Sequence, residues 1–401
     1  MYKASICLII LLFIASCVST KKATDGNAMK PLEWAIKMAD SDIVRNPDPR
    51  YIDFRPQPKW EYTNGLMCSA MMQLWKESKQ KKYFDYAKMY ADSMISEEAE
   101  IDTYKKSDYN IDRVNSGKFL IDLYEEIKIT KYKRAIDTLR DQMRFHPRTK
   151  EGGFWHKKVY PHQMWLDGLY MGTPFLTKFA HFYDEPSLYD DVVNQIVLMD
   201  RYGFDARTGL YFHGWDESKS QKWAHPTTGQ SPHIWGRAMG WFAMALVDNL
   251  EYYPKDHTQR QIIINILHKL IAGIAKYQDP NTGLWYQVVD KMGAEGNYLE
   301  ASASSMFTYT LFKGINLGLL DKKKYGPLAV KSYQGILKNF IKTEPSGSIS
   351  LTNVCAVAGL GGTPYRDGSY EYYINEPQRD NDPKGVGPFI LSCIEYEKYL
   401  R

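Results

Sequence analysis

The chain has 401 residues, with 51 Lys and Arg against 47 Asp and Glu, a formal charge of +4 at pH 7. Its cations are spread along the whole length without a basic block, which argues against a nucleic-acid partner. Hydrophobic content of 44% is ordinary for a globular protein, but 30 Tyr and 10 Trp are many: such rings suit sugar surfaces as well as helix interfaces.

Residues 1–20, MYKASICLIILLFIASCVST, carry a Lys, an apolar run from Ile6 to Ile14, and then small residues. That pattern predicts a signal peptide, too short to span a bilayer. Ile14-Ala15-Ser16-Cys17 resembles a bacterial lipobox, so cleavage after residue 16 and lipidation of Cys17 are expected, with ordinary secretion as the alternative. Residues 17–30 would then be a tether. Lys21 and Lys22 stand where an acidic cluster would suggest surface display, which favours a periplasm-facing anchor in a bacterial envelope. Loss of residues 1–16 removes Lys3 alone, so the mature charge is +4 − 1 = +3. Cys68, Cys355 and Cys393 remain, an odd number without CxxC spacing, which argues against a disulfide scaffold or a zinc site.

Helical periodicity dominates from residue 31 onward. Apolar residues recur at steps of three and four in 32–44, 66–79, 83–95, 261–277 and 305–320. Between helices a glycine–aromatic turn recurs, as EGGFWHK at 151–157, RTGLYFHGWD at 207–216 and NTGLWYQV at 281–288, with WEYTNGLM at 60–67 as a weaker copy. Each interval holds about two helices and their loops. A repeated helix pair with aromatic loops on one side describes an all-α toroid, with an irregular bundle as the simpler alternative. No Pro/Ser-rich linker interrupts 31–401, so one domain is expected.

Two acids stand in apolar settings. Asp112, in YNIDRVNSGKFLIDLYEE (109–126), heads an amphipathic helix, where an ordinary cap is the competing explanation. Asp167 lies between Trp165 and Leu169. Pro161-His162-Gln163-Met164 is read as the helix start, which puts Asp167 about two turns in, on the side of Met164, Met171 and Pro174 and facing a pocket. A carboxyl partly removed from water holds a proton more tightly, so Asp167 is the expected general acid and Asp112 its like-charged neighbour. In HIWGRAMGWFAMAL (233–246), Arg237 and Trp241 share a helix face, suited either to gripping a carboxylate or to a structural cation–π contact. His156, Lys157 and His213 come from the aromatic turns. HExxH, paired His/Cys spacing, GxSxG, Walker and GxGxxG patterns are missing, so neither metal nor cofactor is expected.

The ordered set NIDRVNSGKFL, EGGFWHK, YPHQMWLDGLYMGTPF, YFHGWDES, IWGRAMGWF, EASASSMF and NDPKGVGPF resembles family 105 glycoside hydrolases, the unsaturated rhamnogalacturonyl hydrolases. The resemblance runs from about residue 31 to the C-terminus and implies an (α/α)6 barrel. It also implies Asp167 as proton donor and Asp112 as assisting carboxylate. His156, Lys157, His213 and Arg237 match polar substrate positions, and Trp165, Trp235 and Trp241 match pocket aromatics. Lys384 departs from the His of some relatives. The implied substrate is a lyase-generated pectin fragment ending in a Δ4,5-unsaturated uronic acid. Alternatives are a glucuronyl hydrolase acting on glycosaminoglycan- or ulvan-type fragments and, from another class, a sugar-binding lipoprotein without catalysis.

Overall fold

The computed structural model describes residues 29–401, so the expected signal peptide and Cys17 lie outside the described residues. Its helices are α1 (Pro31–Arg45), α2 (Tyr62–Ser78), α3 (Lys81–Met94), α4 (Gly117–Ile127), α5 (Thr130–Arg144), α6 (Leu166–Tyr183), α7 (Ser187–Gly203), α8 (Gly236–Tyr252), α9 (Arg260–Lys276), α10 (Ala301–Asn316), α11 (Lys322–Asn339), α12 (Tyr370–Asn375) and α13 (Pro383–Leu400). The five apolar runs read from the sequence correspond to α1, α2, α3, α9 and α10. The last ends four residues earlier than its pattern, because Gly318 takes a left-handed φ of 71° that turns the chain.

Helices α2, α4, α6, α8, α10 and α13 each pack on the next, and α13 packs back on α2, closing an inner ring. Outside them α1, α3, α5, α7, α9 and α11 pack on α13, α2, α4, α6, α8 and α10 in turn. This is the expected (α/α)6 barrel. Burial separates the layers: every residue from Ala301 to Ile315 of α10 is buried, whereas α5 alternates buried Ala135, Ile136, Leu139 and Met143 with exposed polar positions. An inner helix meets neighbours on all sides and is buried all round, Ser, Thr and Lys positions included, while an outer one buries only a stripe.

Short strands trim one end of the ring: β1 (Gln163–Trp165), β2 (Phe204–Asp205), β3 (Leu210–Tyr211), β4 (Gly214–Asp216), β5 (Ile341–Thr343), β6 (Ile349–Leu351), β7 (Val354–Cys355) and β8 (Gln378–Arg379). They pair antiparallel as β1–β4, β2–β3, β5–β6 and β7–β8. Two expectations are corrected here. Gln163-Met164 is not a helix start, because Gln163–Trp165 is extended and bonded to Asp216–Gly214, so α6 begins only at Leu166. WEYTNGLM is not a glycine turn: Gly65 lies inside α2, where a Cβ would fall 2.6 Å from the Ser116 Cα and keep α2 from its neighbour. The other glycine turns stand, with Gly209 and Gly283 at φ 79° and 76°.

Candidate active site

The end of the ring that carries the N-termini of α4 and α6 opens into a cavity of about 440 Å3, within the range of small-ligand sites. Asp112, His156, Lys157, Trp165 and Asp167 line it together.

Asp112 sits in a 3-10 turn, Ile111–Val114, capped by the Asn110 side chain, which accepts from the Asp112 N–H at 3.1 Å. The 156–157 segment is fixed against it, since the Ile111 N–H donates to His156 O at 3.2 Å. Lys157 Nζ then reaches Asp112 Oδ2 at 2.7 Å, and His156 Nε2 lies 3.5 Å from Oδ1. Burial works against the Lys157 ammonium, but the Asp112 carboxylate outweighs it and raises the Lys157 pKa. His156 is pushed well below the usual imidazole range, by burial first and by Lys157 next, so it is neutral at pH 7. Lys157 is thus the cationic partner of Asp112.

Asp167 is the second residue of α6, in its first turn rather than two turns in, because β1 takes up the preceding residues. Met171, one turn on, lines the same cavity, whereas Pro174 faces a second cavity deeper in the ring. His213 Nε2 lies 3.1 Å from Asp167 Oδ2, off axis, so neither atom has an aligned hydrogen bond. The other ring nitrogen, Nδ1, is 2.8 Å from the Tyr373 hydroxyl. Burial raises the Tyr373 pKa far above 10, so the phenol keeps its proton. Donation of that proton to Nδ1 satisfies both groups and leaves the His213 hydrogen on Nε2, facing Asp167.

Trp165 stacks on His156 at 4.3 Å and 15° and on Tyr160 at 5.1 Å and 19°, a three-ring slab beside the acids. Seven cations (Arg55, Lys59, Arg113, Lys157, Arg366, Arg379 and Lys384) and four acids (Asp53, Glu61, Asp112 and Asp167) line the cavity, a balance of 7 − 4 = +3 that favours an anionic ligand. Arg55, Lys59 and Arg113 pair with Glu61 or Asp53. Lys384 is almost fully buried and clamps Asp53 Oδ1 and Asp382 Oδ1, each at 2.8 Å. That is what its loop contributes: it pins the 53–55 segment to the start of α13.

His213, Trp235, Arg237 and Trp241 stand one layer behind the wall. Arg237 does not present its fork to the cavity. Its guanidinium donates to Cys355 O, to Ala356 O at 3.4 Å and to Ser302 Oγ at 3.3 Å, and lies 4.8 Å from the Trp235 ring centroid. It fastens the strand whose continuation, Ala356–Ala358, forms part of the wall. Trp241 stacks on Tyr170 at 4.8 Å. Sequence reasoning missed Phe54 and Arg366, which lie in aperiodic loops, and Tyr373 and Arg379, which lie in the short elements α12 and β8. Arg366, in a Gly/Pro-rich segment with an acid only at Asp367, offered the one usable hint. Among the described residues no three His, Cys, Asp or Glu side chains converge as metal ligands, and no helix is long and apolar enough to cross a membrane.

The sequence model of Glycosyl Hydrolase Family 88 matches residues 34–400. The chain belongs to this family. The solved structure of a family 105 glycoside hydrolase from C. acetobutylicum is 44% identical, covering 91% of this chain and 99% of its own, with a TM-score of 0.87. The unsaturated rhamnogalacturonyl hydrolase YesR of Bacillus subtilis is 24% identical over 78% of this chain and 84% of its own. An unsaturated glucuronyl hydrolase from Bacillus sp. GL1, responsible for degradation of glycosaminoglycan, shares the fold at 11% identity and TM-score 0.67, over 92% of this chain and 96% of that one. This Family 88 member is therefore a glycoside hydrolase of the unsaturated glycuronyl and rhamnogalacturonyl group. Of the residues singled out in the sequence, Asp112, His156, Lys157, Trp165 and Asp167 line its cavity.

Proposed function

We propose that the protein removes the Δ4,5-unsaturated uronic acid from the non-reducing end of lyase-generated pectin (rhamnogalacturonan) fragments, working in the bacterial envelope on a lipid tether at Cys17. The observation that carries the reading is the asymmetry of the two acids: Asp112 is held by Lys157 at 2.7 Å, while Asp167 keeps an oxygen without an aligned partner beside the aromatic slab. The substrate is an enol ether. Asp167 gives its proton to C4, leaving an oxocarbenium-like centre at C5. Water adds there, and its released proton returns to Asp167. The hemiketal at C5 opens to a ketone, freeing C1 to expel the neighbouring sugar as an alcohol. Atoms balance with one water consumed, and each residue ends as it began. Asp112 and Lys157 supply a fixed ion pair at the reacting ring, and Arg366, which has no carboxylate partner among the described residues, supports the uronate carboxylate.

Turnover in deuterated water is the direct test. The uronic product should carry deuterium at C4, and enol-ether absorbance should vanish as the neighbouring sugar appears. A saturated disaccharide of the same linkage should stay intact. Equal cleavage of both would replace hydration with conventional two-carboxylate hydrolysis. Among lyase products of pectin, heparin and ulvan, the pectin fragment should be turned over fastest. A faster heparin or ulvan fragment would move the protein to the glucuronyl hydrolases.

A further inference from the structure

The reacting groups occupy the α4/α6 sector of the mouth, and the cavity continues into the α13/α2 sector, where no acid or base of the proposed reaction stands. That sector is built from the 53–55 loop and from β8. Phe54 is 59% exposed there, although it lines the cavity. Asp53 and Phe54 are consecutive residues in left-handed backbone, at φ 73° and 57°, a conformation that costs non-glycine residues energy and persists only when the surroundings impose it. What imposes it here is Asp53, held by Lys384 at 2.8 Å and by Arg55 at 3.1 Å. The result is an aromatic face turned to solvent at a fixed position.

Beside it, Arg379 differs from most of the cations around it. Arg55, Lys59, Arg113, Lys157 and Lys384 each pair with a carboxylate of the same cavity. Arg379 makes no ion pair and no side-chain hydrogen bond among the described residues. Its one recorded side-chain interaction is with Phe54, whose ring centroid lies 5.1 Å from the guanidinium carbon. Its position is set by pairing with Val354, two residues before the Ala356–Ala358 wall. A half-buried guanidinium with free donors next to an exposed ring suits a sugar that bears an anion.

We propose that Phe54 and Arg379 form a second subsite for the leaving part of the substrate, Phe54 stacking on a sugar face and Arg379 binding an anionic group, carboxylate or sulfate, carried by that part. This rests on the hydrolase reading above and extends it: preferred fragments carry a second anion beyond the unsaturated ring.

Three unsaturated substrates test it: a disaccharide with a neutral leaving sugar, its counterpart sulfated on that sugar, and a tetrasaccharide with a second uronate. They are assayed with wild type, Arg379→Gln and Phe54→Ala. Wild type should show a higher kcat/KM on one charged substrate than on the neutral disaccharide. Arg379→Gln should shrink that ratio about tenfold, the size of one charge-assisted contact, chiefly through KM. Phe54→Ala should raise KM on all three. Preference for the sulfated disaccharide assigns sulfate, and preference for the tetrasaccharide assigns carboxylate. A ratio near one in wild type, or one unchanged by Arg379→Gln, overturns the subsite. Titration with saturated charged and neutral oligosaccharides separates the two readings. If nothing is turned over but charged ligands bind in an Arg379-dependent way, the hydrolase reading falls and the subsite stands. Without Arg379-dependent binding the subsite falls too. Thermal melts confirm that both variants are folded.

Discussion

At the mouth of the barrel, Asp167 Oδ2, His213 Nε2 and His156 Nδ1 are buried without an aligned hydrogen bond. Eleven residues further along α6, about 16 Å at the rise of a helix, Lys178 is locked to Asp122 at 2.6 Å. Around it Lys313 joins Asp248 and Glu251 at 2.7 and 2.8 Å, and Tyr309 donates to Asp248 at 2.6 Å. Both regions place several charges inside a helical ring, at a cost in desolvation. The deep one offsets that cost by pairing nearly every charge within itself. The mouth leaves atoms unsatisfied, and unsatisfied buried polar atoms are where a substrate can complete the set. Lys118 breaks the pattern: it belongs to the deep cluster, yet its Nζ has no hydrogen-bond partner and rests 3.3 Å from the Tyr170 ring centroid.

Substitutions in the two regions should therefore part activity from stability. The largest effect belongs to Asp167→Asn, which should lower kcat about a thousandfold, or ~4 kcal/mol of barrier, with an almost unchanged melting temperature. Activity within tenfold of wild type would remove Asp167 from the chemistry. In the deep region Lys313→Met strands two acids and should cost about 3 kcal/mol in urea unfolding, while the folded protein keeps its kcat/KM within about twofold. Loss of turnover without loss of stability would mean that the deep cluster takes part in function.

Tyr373→Phe keeps the ring beside Trp235 but frees the His213 tautomer. About a tenfold drop in kcat with little change in KM is expected, together with a shifted pH profile. Unaltered kcat and profile would show that Tyr373 only packs. The smallest effect tests the exception. Burial, with Lys178 and Lys313 adding to it, lowers the Lys118 pKa from 10.5 to about 7, against the pull of Asp248. Between those values the unfolded chain binds a proton that the folded one lacks, so this group makes stability rise with pH from 7 to about 10.5 and adds no slope below 7. Lys118→Met should remove that rise and add about 1 kcal/mol at pH 7. A wild-type minus variant difference that stays flat from pH 7 to 10 would contradict it.

Legibility in the sequence followed the range of the interactions. Helices such as α1, α3 and α9 are visible because their stripes repeat every three to four residues, and the Gly209 and Gly283 turns because left-handed backbone selects glycine. Asp112, His156, Lys157, Trp165 and Asp167 were legible because two nearby segments, 110–112 and 156–167, bring them together. The start of α6 was misread because it depends on β4, fifty residues away, which holds Gln163–Trp165 extended. For a similar reason the sequence left open whether Arg237 grips a ligand or makes a structural contact: its partners at Cys355 and Ala356 are more than a hundred residues distant, and nothing in HIWGRAMGWF announces them. Phe54, Arg366, Tyr373 and Arg379 were hard to read for the same reason: Phe54 meets Arg379, Arg366 meets Tyr160 and Tyr373 meets His213, each across more than 150 residues of chain.

Closure of the ring joins residues from opposite ends of the described chain: the Leu32 N–H reaches Glu397 Oε2 at 3.3 Å, and Arg401 pairs with Glu77 of α2 at 2.6 Å. Such pairings carry a large loop-closure entropy and are made late in folding. During synthesis α2 and α10 must wait with uncovered apolar flanks until α13 emerges from the ribosome, the period when the nascent chain is most exposed to aggregation. Residues 382–384 fasten the 53–55 loop as that last helix docks, so the mouth is assembled at the end of folding, and a truncated translation product would contain both acids and still lack a finished cavity.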